Sequence, residues 1–410
     1  MYSRKCLSNI KKYLHTRDII VIHGARQTGK TTLLRLIMQE LPERDTSYFD
    51  LEDSRFREIF EGGAETVEQY LRQKGKLKDQ KLFYILIDEV QYLSNPSSLL
   101  KIFHDHFPQF KVIASGSSSF NIKKKFKDTL VGRTVDFELH PLDFEEFLTF
   151  KEKDISLNVP ITVNALVEEL DMLYREYTLY GGYPKIVLTP ETDKKETYLQ
   201  QIIDTYINND IRDIGNIRHV DKFNKLVRIL ASQSGELLNV SELSNTTGIS
   251  RQSVEEYLFI LENTYIIRML QPFSKNIRSE LFKTPKVFFL DTGIMNMLRQ
   301  KALPAEISGE MFETAILSDM VKDINKKTLF YWRTQDKKEI DFVIQNNSTL
   351  TAIEAKLNAA KCSLTPMRYF DKYYTPKLKF CVCLKGSVKQ NEINFTACRP
   401  WELIRLVNHG

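Results

Sequence analysis

Unbroken apolar runs in the first third of the chain predict strands of a parallel sheet. Residues 19–22, 83–87 and 110–114 are apolar almost throughout, which is usual for strands that helices cover on both faces. The first run leads through a glycine-containing loop into an apolar segment at 33–37, which predicts a helix. Strands that alternate with helices indicate an α/β fold, and we assign residues 1–148 to this first domain.

The apolar pattern takes helical spacing after residue 148. Apolar positions three and four residues apart, most clearly over 199–214, predict a helical lid spanning 149–222. The sequence GGYP at 181–184 interrupts this region and predicts a sharp turn. The second predicted domain is therefore a helical lid beside the α/β core.

The third segment, 223–285, has the pattern of a winged helix-turn-helix. A helix and a turn containing Gly248 precede a second helix, for which Ser250 is the predicted cap. The segment 263–270, rich in β-branched and aromatic residues, predicts the strand of a wing.

The fourth segment, 286–410, reads as a C-terminal α/β domain. A helix is predicted at 309–317, and strands are predicted at 330–333, 339–344 and 350–356. The chain is therefore predicted to be an α/β multidomain protein with four parts.

Composition agrees with several packed domains and excludes a membrane span. The chain has 410 residues and a net charge of +5, which permits nucleic-acid binding without arguing strongly for it. No apolar run reaches the ~18 residues that a span needs, and the N-terminal sequence has no signal-type apolar core. The five cysteines form no C-x-x-C pair, so we expect free thiols, no cysteine metal site and a cytoplasmic location.

The loop after the first strand carries the most specific motif. Gly24, Gly29, Lys30 and Thr31 satisfy the pattern G-x-x-x-x-G-K-[ST]. Such glycines let backbone N–H groups face a phosphate at the positive end of a helix, while the lysine reaches the β- and γ-phosphates and the threonine hydroxyl ligates Mg²⁺. The motif predicts ATP and Mg²⁺ as cofactors. The predicted nucleotide-binding residues of the loop are Gly24, Ala25, Arg26, Gln27, Thr28, Gly29, Lys30, Thr31 and Thr32.

An acidic pair ends the second apolar run. We predict that Asp88 supports Mg²⁺ and that Glu89 polarises the attacking water, although a solvated pair at a strand end is the plainer alternative. Serines follow the third run, and Ser115 or Ser117 is the candidate sensor of the γ-phosphate.

Two basic features follow the third predicted strand. Arg133 could reach the γ-phosphate of a neighbouring subunit, or it could anchor a loop through an ion pair. The first role would require a homo-oligomer. The lysine-rich run at 123–127 is typical of a solvated surface, with contact to phosphate as the minority interpretation.

The predicted second helix of the helix-turn-helix is a candidate DNA-binding element. Its first residues, Ser250 to Ser253, include Arg251 and Gln252, which can bond to base edges or phosphate in a major groove. Glu255 and Glu256 on the same helix would repel DNA, so a protein-binding spacer is the alternative.

The last third carries a second candidate site. Glu354 and Lys356 lie two apart on a predicted strand and share a face, and Asp341 begins a neighbouring strand. Two carboxylates and a lysine can hold Mg²⁺ and orient a water for phosphodiester attack, with Glu313 completing the metal ligands from a helix. A salt-bridged pair of strands is the structural alternative.

Taken together, these motifs resemble a family of bacterial and archaeal ATPases. That family joins an AAA-type P-loop domain to a C-terminal domain of unknown function, family 4143. The resemblance rests on GARQTGKTTLL at 24–34, LIDEVQ at 86–91, GGYP at 181–184, FYWRTQDKKEIDFVI at 330–344 and IEAK at 353–356. The C-terminal set is similar to PD-(D/E)XK nucleases, a restriction-endonuclease-like fold, which implies Asp341, Glu354 and Lys356 as its catalytic core.

The sequence therefore favours an ATP-binding, Mg-dependent ATP-hydrolysing protein that acts on DNA. Lys30 and Glu89 are its predicted catalytic residues at the nucleotide. The alternative is a nucleotide-controlled switch that binds DNA or protein and whose nuclease-like domain cuts nothing. A chaperone-like ATPase acting on proteins is a third hypothesis, and no protein partner can be named from the sequence.

Overall fold

The computed structural model describes residues 2–77, 82–116, 130–205, 207, 217, 219–274, 284–323, 328–346, 349–387 and 394–409. Within these ranges, no helix combines the length and the apolar character that a membrane span requires. The chain divides into two compact units, Met1–Pro141 with Asn263–Tyr265, and Leu142–Glu262 with Ile266–Gly410. The finer division into four domains stays a prediction.

The first unit alternates strands and helices. Its strands are β1 (Ile19–His23), β2 (Thr46–Asp50), β3 (Phe83–Asp88), β4 (Phe110–Gly116) and β5 (Thr134–Glu138). Its helices are α1 (Lys5–Lys11), α2 (Lys30–Gln39), α3 (Ser54–Glu61), α4 (Ala64–Gln73) and α5 (Pro96–His106). The three apolar runs predicted as strands are β1, β3 and β4, and the predicted helix is α2.

All five strands form one parallel sheet in the order β2-β3-β4-β1-β5. The central strands β1, β3 and β4 are buried along their whole length. Successive residues of β1 face opposite sides, so Val21 packs in one core and Ile20 with Ile22 in the other. Two covered faces explain why the sequence runs are continuously apolar, and the α/β fold is confirmed.

The second unit begins with helices. These are α6 (Phe144–Phe150), α7 (Asn164–Tyr180), α8 (Pro184–Val187) and α9 (Thr192–Ile202). Gly181 ends α7 with a φ of 78°, and Pro184 starts α8, where its missing N–H costs nothing. Part of the apolar face predicted over 199–214 lies outside the described residues.

A helix–turn–helix order follows. The elements are α10 (Val220–Ser232), α11 (Val240–Thr247), α12 (Arg251–Asn263), β6 (Ile267–Leu270) and β7 (Lys286–Phe289). Gly248 takes a left-handed φ of 64° between α11 and α12, and Ser250 Oγ accepts the Ser253 N–H at 3.1 Å as a cap. Strands β6 and β7 pair antiparallel.

The C-terminal part contains a second sheet. Its elements are α13 (Thr292–Gln300), α14 (Gly309–Asp323), β8 (Leu329–Arg333), β9 (Glu339–Asn346), β10 (Thr349–Ala355), α15 (Leu364–Tyr374), β11 (Leu378–Val382), β12 (Phe395–Cys398) and α16 (Leu403–His409). The strand order is β12-β11-β10-β9-β8. Strands β8, β9 and β10 pair antiparallel, while β10, β11 and β12 pair parallel.

Buried Asp291 fixes the turn after α7. Its Oδ2 accepts the Gly182 N–H at 2.8 Å, and its Oδ1 accepts the Ile294 N–H at 3.0 Å, which caps α13. The packing leaves room only for glycine, since a Cβ at position 293 would lie 2.1 Å from the Tyr180 carbonyl oxygen. The turn and the start of α13 therefore interlock through backbone contact.

One disulfide corrects the expectation that all five cysteines are free. Cys362 and Cys381 are bonded, with 6.4 Å between their Cα atoms. The residues lie 19 apart in sequence, on opposite sides of α15 along the chain, so only the packing of α15 on the sheet brings them together. Cys383 and Cys398 are free thiols, as expected.

Candidate functional site

The loop from Gly24 to Gly29 is shaped by close backbone contact. Leu139 donates its N–H to the His23 carbonyl at 2.7 Å, and a Cβ at position 24 would lie 2.0 Å from the Leu139 oxygen. Gln27 and Gly29 take positive φ values of 62° and 97°. Alternation between right- and left-handed backbone turns successive N–H groups to one side, which creates a concave site for an anion.

Arg4 braces this loop, and the sequence did not indicate it. Its guanidinium donates to the Thr28 carbonyl at 2.7 Å and to the His140 carbonyl at 2.8 Å. The Thr28 hydroxyl donates to the Ala25 carbonyl at 2.9 Å. Arg4 lies 24 residues before Thr28, so no local spacing could have identified the contact.

Lys30 is buried at the start of α2, with 4% of its surface exposed. Its Nζ donates to the Ala25 carbonyl at 2.9 Å and to the Gly24 carbonyl at 3.2 Å. Burial lowers the pKa of Lys30 to about 8, although nearby Glu89 and Asp88 oppose that shift. Thr31 follows in the first turn of α2, where unpaired N–H groups and the helix dipole favour negative charge.

Asp88 is held at the carboxyl end of β3 by two hydroxyl groups. Tyr48 donates to its Oδ2 at 2.7 Å, and Ser115 Oγ donates to its Oδ1. The Glu89 N–H lies 3.3 Å from Ser115 Oγ. The sequence motifs indicated Ser115 but not Tyr48, which reaches Asp88 only because β2 pairs with β3. Ser117 lies outside the described residues.

Glu89 has an unusual backbone. Its φ of 56° and ψ of 47° are left-handed, a conformation that is rare for residues other than glycine and that clusters at functional sites. Gln91 donates its side-chain N–H to Glu89 Oε2. The carboxylate therefore has a fixed orientation beside Asp88, and it is close enough to Lys30 to affect that pKa.

Arg133 lies away from this constellation. Residue 134 pairs with Ile19 and residue 138 with His23, so Arg133 precedes the amino end of β5, whereas the glycine loop follows the carboxyl end of β1. Its guanidinium makes a two-point ion pair with Asp105, at 2.8 and 3.1 Å. This is the contact that the loop-anchoring interpretation expects, and a role towards a neighbouring subunit stays a prediction.

The C-terminal candidates come together around an ammonium group. Lys356 Nζ lies 2.7 Å from Asp341 Oδ2 and 3.4 Å from Glu354 Oε2. Asp341 Oδ2 also accepts the Ala355 N–H at 2.8 Å. Burial and the Asp341 charge hold the pKa of Glu354 well above its usual range, and the two carboxylates raise the pKa of Lys356 against the effect of its burial.

Glu313 belongs to an adjoining network of charges. Its Oε1 lies 3.4 Å from Lys286 Nζ, which also pairs with Glu339 at 2.5 Å. Burial and the charge of Asp341 raise the pKa of Glu313 to about 7. Among the described residues, no group of three or more His, Cys, Asp or Glu side chains is arranged to hold a metal ion. The metal-binding role predicted for Asp341, Glu354 and Glu313 stays a prediction.

The candidate DNA-reading residues are accessible but carry mixed charge. Arg251 and Gln252 are exposed on the first turn of α12. Glu255 and Glu256 are also exposed, and Gln252 lies 3.4 Å from Glu256. The element offers hydrogen-bonding groups to a partner without a strongly positive surface.

Three protein-family models match the chain in succession. Residues 16–148 match an AAA domain. Residues 171–305 and 308–401 match two models described as domains of unknown function, DUF8612 and DUF4143. The AAA domain match covers the glycine loop, Asp88, Glu89 and Ser115, and together with the DUF4143 match it supports the resemblance to the ATPase family.

Several relatives match most of this chain at low identity. The chain is 25% identical over 365 residues to an uncharacterized protein of Haemophilus influenzae, covering 85% of this chain and 84% of that protein. It is 26% identical over 358 residues to an uncharacterized protein of Methanocaldococcus jannaschii, covering 85% and 77%. A third, from Mycobacterium tuberculosis, is 23% identical over 371 residues and covers 89% and 76%.

Solved structures give weaker matches. A Walker-type ATPase of Pyrococcus abyssi matches with a TM-score of 0.44 and 16% identity over 73% of this chain and 96% of that one. The Aeropyrum pernix ORC2 protein with ADPNP and ADP has a TM-score of 0.39 and 12% identity over 65% and 88%. The match of the AAA domain, rather than these distant structures, supports the ATPase assignment.

Proposed function

We propose that this protein binds and hydrolyses ATP with Mg²⁺ and acts on DNA. The observation that carries the proposal is the buried Lys30 at the glycine loop, whose pKa is affected by Asp88 and Glu89 at the carboxyl end of the buried strand β3. The concave loop, the first turn of α2 and the ammonium fit a triphosphate in shape and charge. Thr31 and Asp88 supply oxygen atoms of the kind that Mg²⁺ prefers.

Each residue has a distinct task in the proposed reaction. The loop N–H groups and Lys30 bind and orient the phosphates, and Lys30 offsets negative charge as it develops. Glu89 accepts a proton from the water that attacks. Tyr48 and Ser115 fix the Asp88 carboxylate, which would accept hydrogen bonds from water molecules bound to Mg²⁺. Bound Mg²⁺ would supply additional charge stabilisation at the phosphates.

A steady-state ATPase assay tests this part of the proposal. Glu89→Gln keeps the shape of the side chain but removes the base, so we expect nucleotide binding to persist while turnover falls by about 100-fold or more. Glu65→Gln, an exposed position on α4, is the matched control and should hydrolyse ATP normally. Unchanged turnover in Glu89→Gln would rule out Glu89 as the base.

We assign DNA binding to the helix-turn-helix formed by α11 and α12, acting as a winged helix. The accessible residues Arg251 and Gln252 support this proposal. Binding of a labelled duplex should weaken in Arg251→Ala by about 1–3 kcal/mol if the guanidinium contacts a base. Arg299→Ala, which removes an ion pair with Glu310, is the control. If Arg251→Ala and Arg299→Ala bind the duplex equally well, Arg251 does not contact DNA, and the result would favour the alternative that α12 binds protein.

A second candidate function is supported by the position of Lys356. The ammonium lies between Asp341 and Glu354, where a nuclease would bind its metal. This contact favours a nucleotide-controlled switch whose nuclease-like domain does not cut. Supercoiled plasmid with Mg²⁺ or Mn²⁺ separates the two functions, because Asp341→Asn should abolish nicking only if the site is catalytic. Glu306→Gln, at an exposed position, is the control, and intact plasmid with every protein would support the switch.

A further inference from the structure

An aromatic groove lies on the edge of the C-terminal sheet. It has a volume of about 650 Å³ and lies beside β8 and the C-terminal half of α15. Its side chains include three that argue for a ligand, namely Trp332, Tyr369 and Tyr373. The centroid of the Tyr369 ring lies 5.9 Å from that of Trp332 and 4.8 Å from that of Tyr373. The three rings form a continuous aromatic surface, which we call the aromatic shelf.

Accessibility increases along the aromatic shelf from one end to the other. Trp332 is buried and anchors it, Tyr369 is half-buried, and Tyr373 has 53% of its surface exposed. A tyrosine ring this exposed contributes little to the core, and a ligand can reach the exposed part of the ring. The shelf therefore combines a rigid base with an accessible outer ring.

Cations flank the aromatic shelf. Lys338 Nζ lies 4.9 Å from the centroid of the Tyr369 ring, and Lys372 Nζ lies 5.8 Å from that of Tyr373. Arg333 lines the groove as well. Asp336 pairs with Lys338 at 2.9 Å and offsets part of this charge. Aromatic faces next to lysine and arginine are the combination that binds single-stranded nucleic acid, in which bases stack on rings and cations contact the phosphates.

The groove adjoins the C-terminal charged cluster. Arg333 pairs with Glu339 at 3.0 Å, and Glu339 precedes Asp341 by two residues on β9. We infer that the aromatic shelf binds a single-stranded segment of nucleic acid, an inference that rests on the proposed action on DNA and names the form of DNA at this site.

Fluorescence anisotropy of a fluorescein-labelled 20-nucleotide oligo(dT) tests the inference with the full chain. The assay contains EDTA and no nucleotide, so its result is independent of ATP hydrolysis and of cleavage. We expect Tyr373→Ala to weaken binding by about 5-fold or more, and Tyr373→Phe to bind as the unmodified chain does. Tyr198→Ala is the matched control, since Tyr198 contacts Lys185 away from the groove.

Three results would overturn the inference. These are no binding by the unmodified chain, unchanged binding by Tyr373→Ala, and equal losses in Tyr373→Ala and Tyr198→Ala. The second result would also direct attention to a protein segment as the occupant of the groove. Failure of the ATPase assay with Glu89→Gln would refute the proposed hydrolysis without altering any of these outcomes.

Discussion

At the scale of single residues, the protonation of Lys30 should make nucleotide binding depend on pH. Burial holds the pKa of its free ammonium at about 8, and phosphate groups beside it would raise that value because they favour the charged form. Between about pH 8 and 10, nucleotide binding should therefore take up a proton, and affinity should fall as pH rises through 8. Isothermal titration calorimetry at pH 8.5, in two buffers of different ionisation enthalpy, measures this uptake.

Lys30→Arg provides the control for that measurement. A guanidinium stays protonated over this pH range, so the variant should bind nucleotide without proton uptake. Among the described residues of the first unit, the buried Lys111 is the other lysine whose pKa burial lowers to about 8. Uptake that persists in Lys30→Arg would contradict the assignment to Lys30 and point to Lys111.

Residues of the nucleotide site were predictable only where one segment carries them. Local patterns predicted Gly24 and Lys30, which one loop and helix carry, and Asp88, which ends a separate apolar run. Tyr48 and Arg4 were missed, since they reach the site through sheet order and packing between distant segments. A local sequence pattern does not show which side chains from distant segments will contact a site.

At the scale of elements, the interlock around Asp291 sets a strict limit on side-chain size. A methyl group at position 293 would meet the Tyr180 carbonyl oxygen at 2.1 Å, and backbone cannot move aside as a side chain can. We expect Gly293→Ala to lower the free energy of unfolding by about 1–3 kcal/mol. The midpoint of urea unfolding measures this loss.

Gly309→Ala is a matched control for that substitution. Gly309 begins α14 and has nothing within 4 Å of the Cβ that alanine would add. Alanine also favours the helix, so this variant should be as stable as the unmodified chain or slightly more stable. Equal unfolding midpoints for the two variants would show that the turn after α7 can shift to relieve the clash.

The strands that are fully buried could be predicted from the sequence, whereas the partly exposed strands could not. The runs that became β1, β3 and β4 are apolar because both faces are covered, and they were recognised from sequence. The edge strands β2 and β5 are partly exposed and mix polar with apolar residues, so no run predicted them. The Cys362–Cys381 bond was missed for a related reason, because two distant segments meet only in the folded domain.

At the scale of the whole molecule, the two compact units should respond differently to nucleotide. Both tryptophans, Trp332 and Trp401, belong to the second unit, so tryptophan fluorescence reports on that unit alone. If the first unit binds Mg-ATP as proposed, the bound nucleotide would stabilise that unit by mass action. The test uses Glu89→Gln, which should bind ATP but hydrolyse it slowly. We expect Mg-ATP to raise the midpoint temperature of unfolding measured by circular dichroism, while the midpoint measured by tryptophan fluorescence stays unchanged.

The same thermal unfolding experiment with Lys30→Ala is the control. This variant lacks the ammonium that holds the phosphates, so neither transition should move on adding Mg-ATP. A fluorescence transition that rises together with the circular dichroism signal would mean that the two units unfold as one cooperative body.

The path of the chain between the units limits its modularity. After Glu262 the chain contributes Asn263–Tyr265 to the first unit and then returns to the second. Tyr265 is buried there, and its ring packs edge-on against His140 at 5.4 Å. A fragment ending at Pro141 would lack this tyrosine and expose the surface it covers. The first unit therefore cannot be separated intact by cutting the chain after Pro141. Recombination or proteolysis at that point would remove Asn263–Tyr265 from the first unit, including the buried Tyr265.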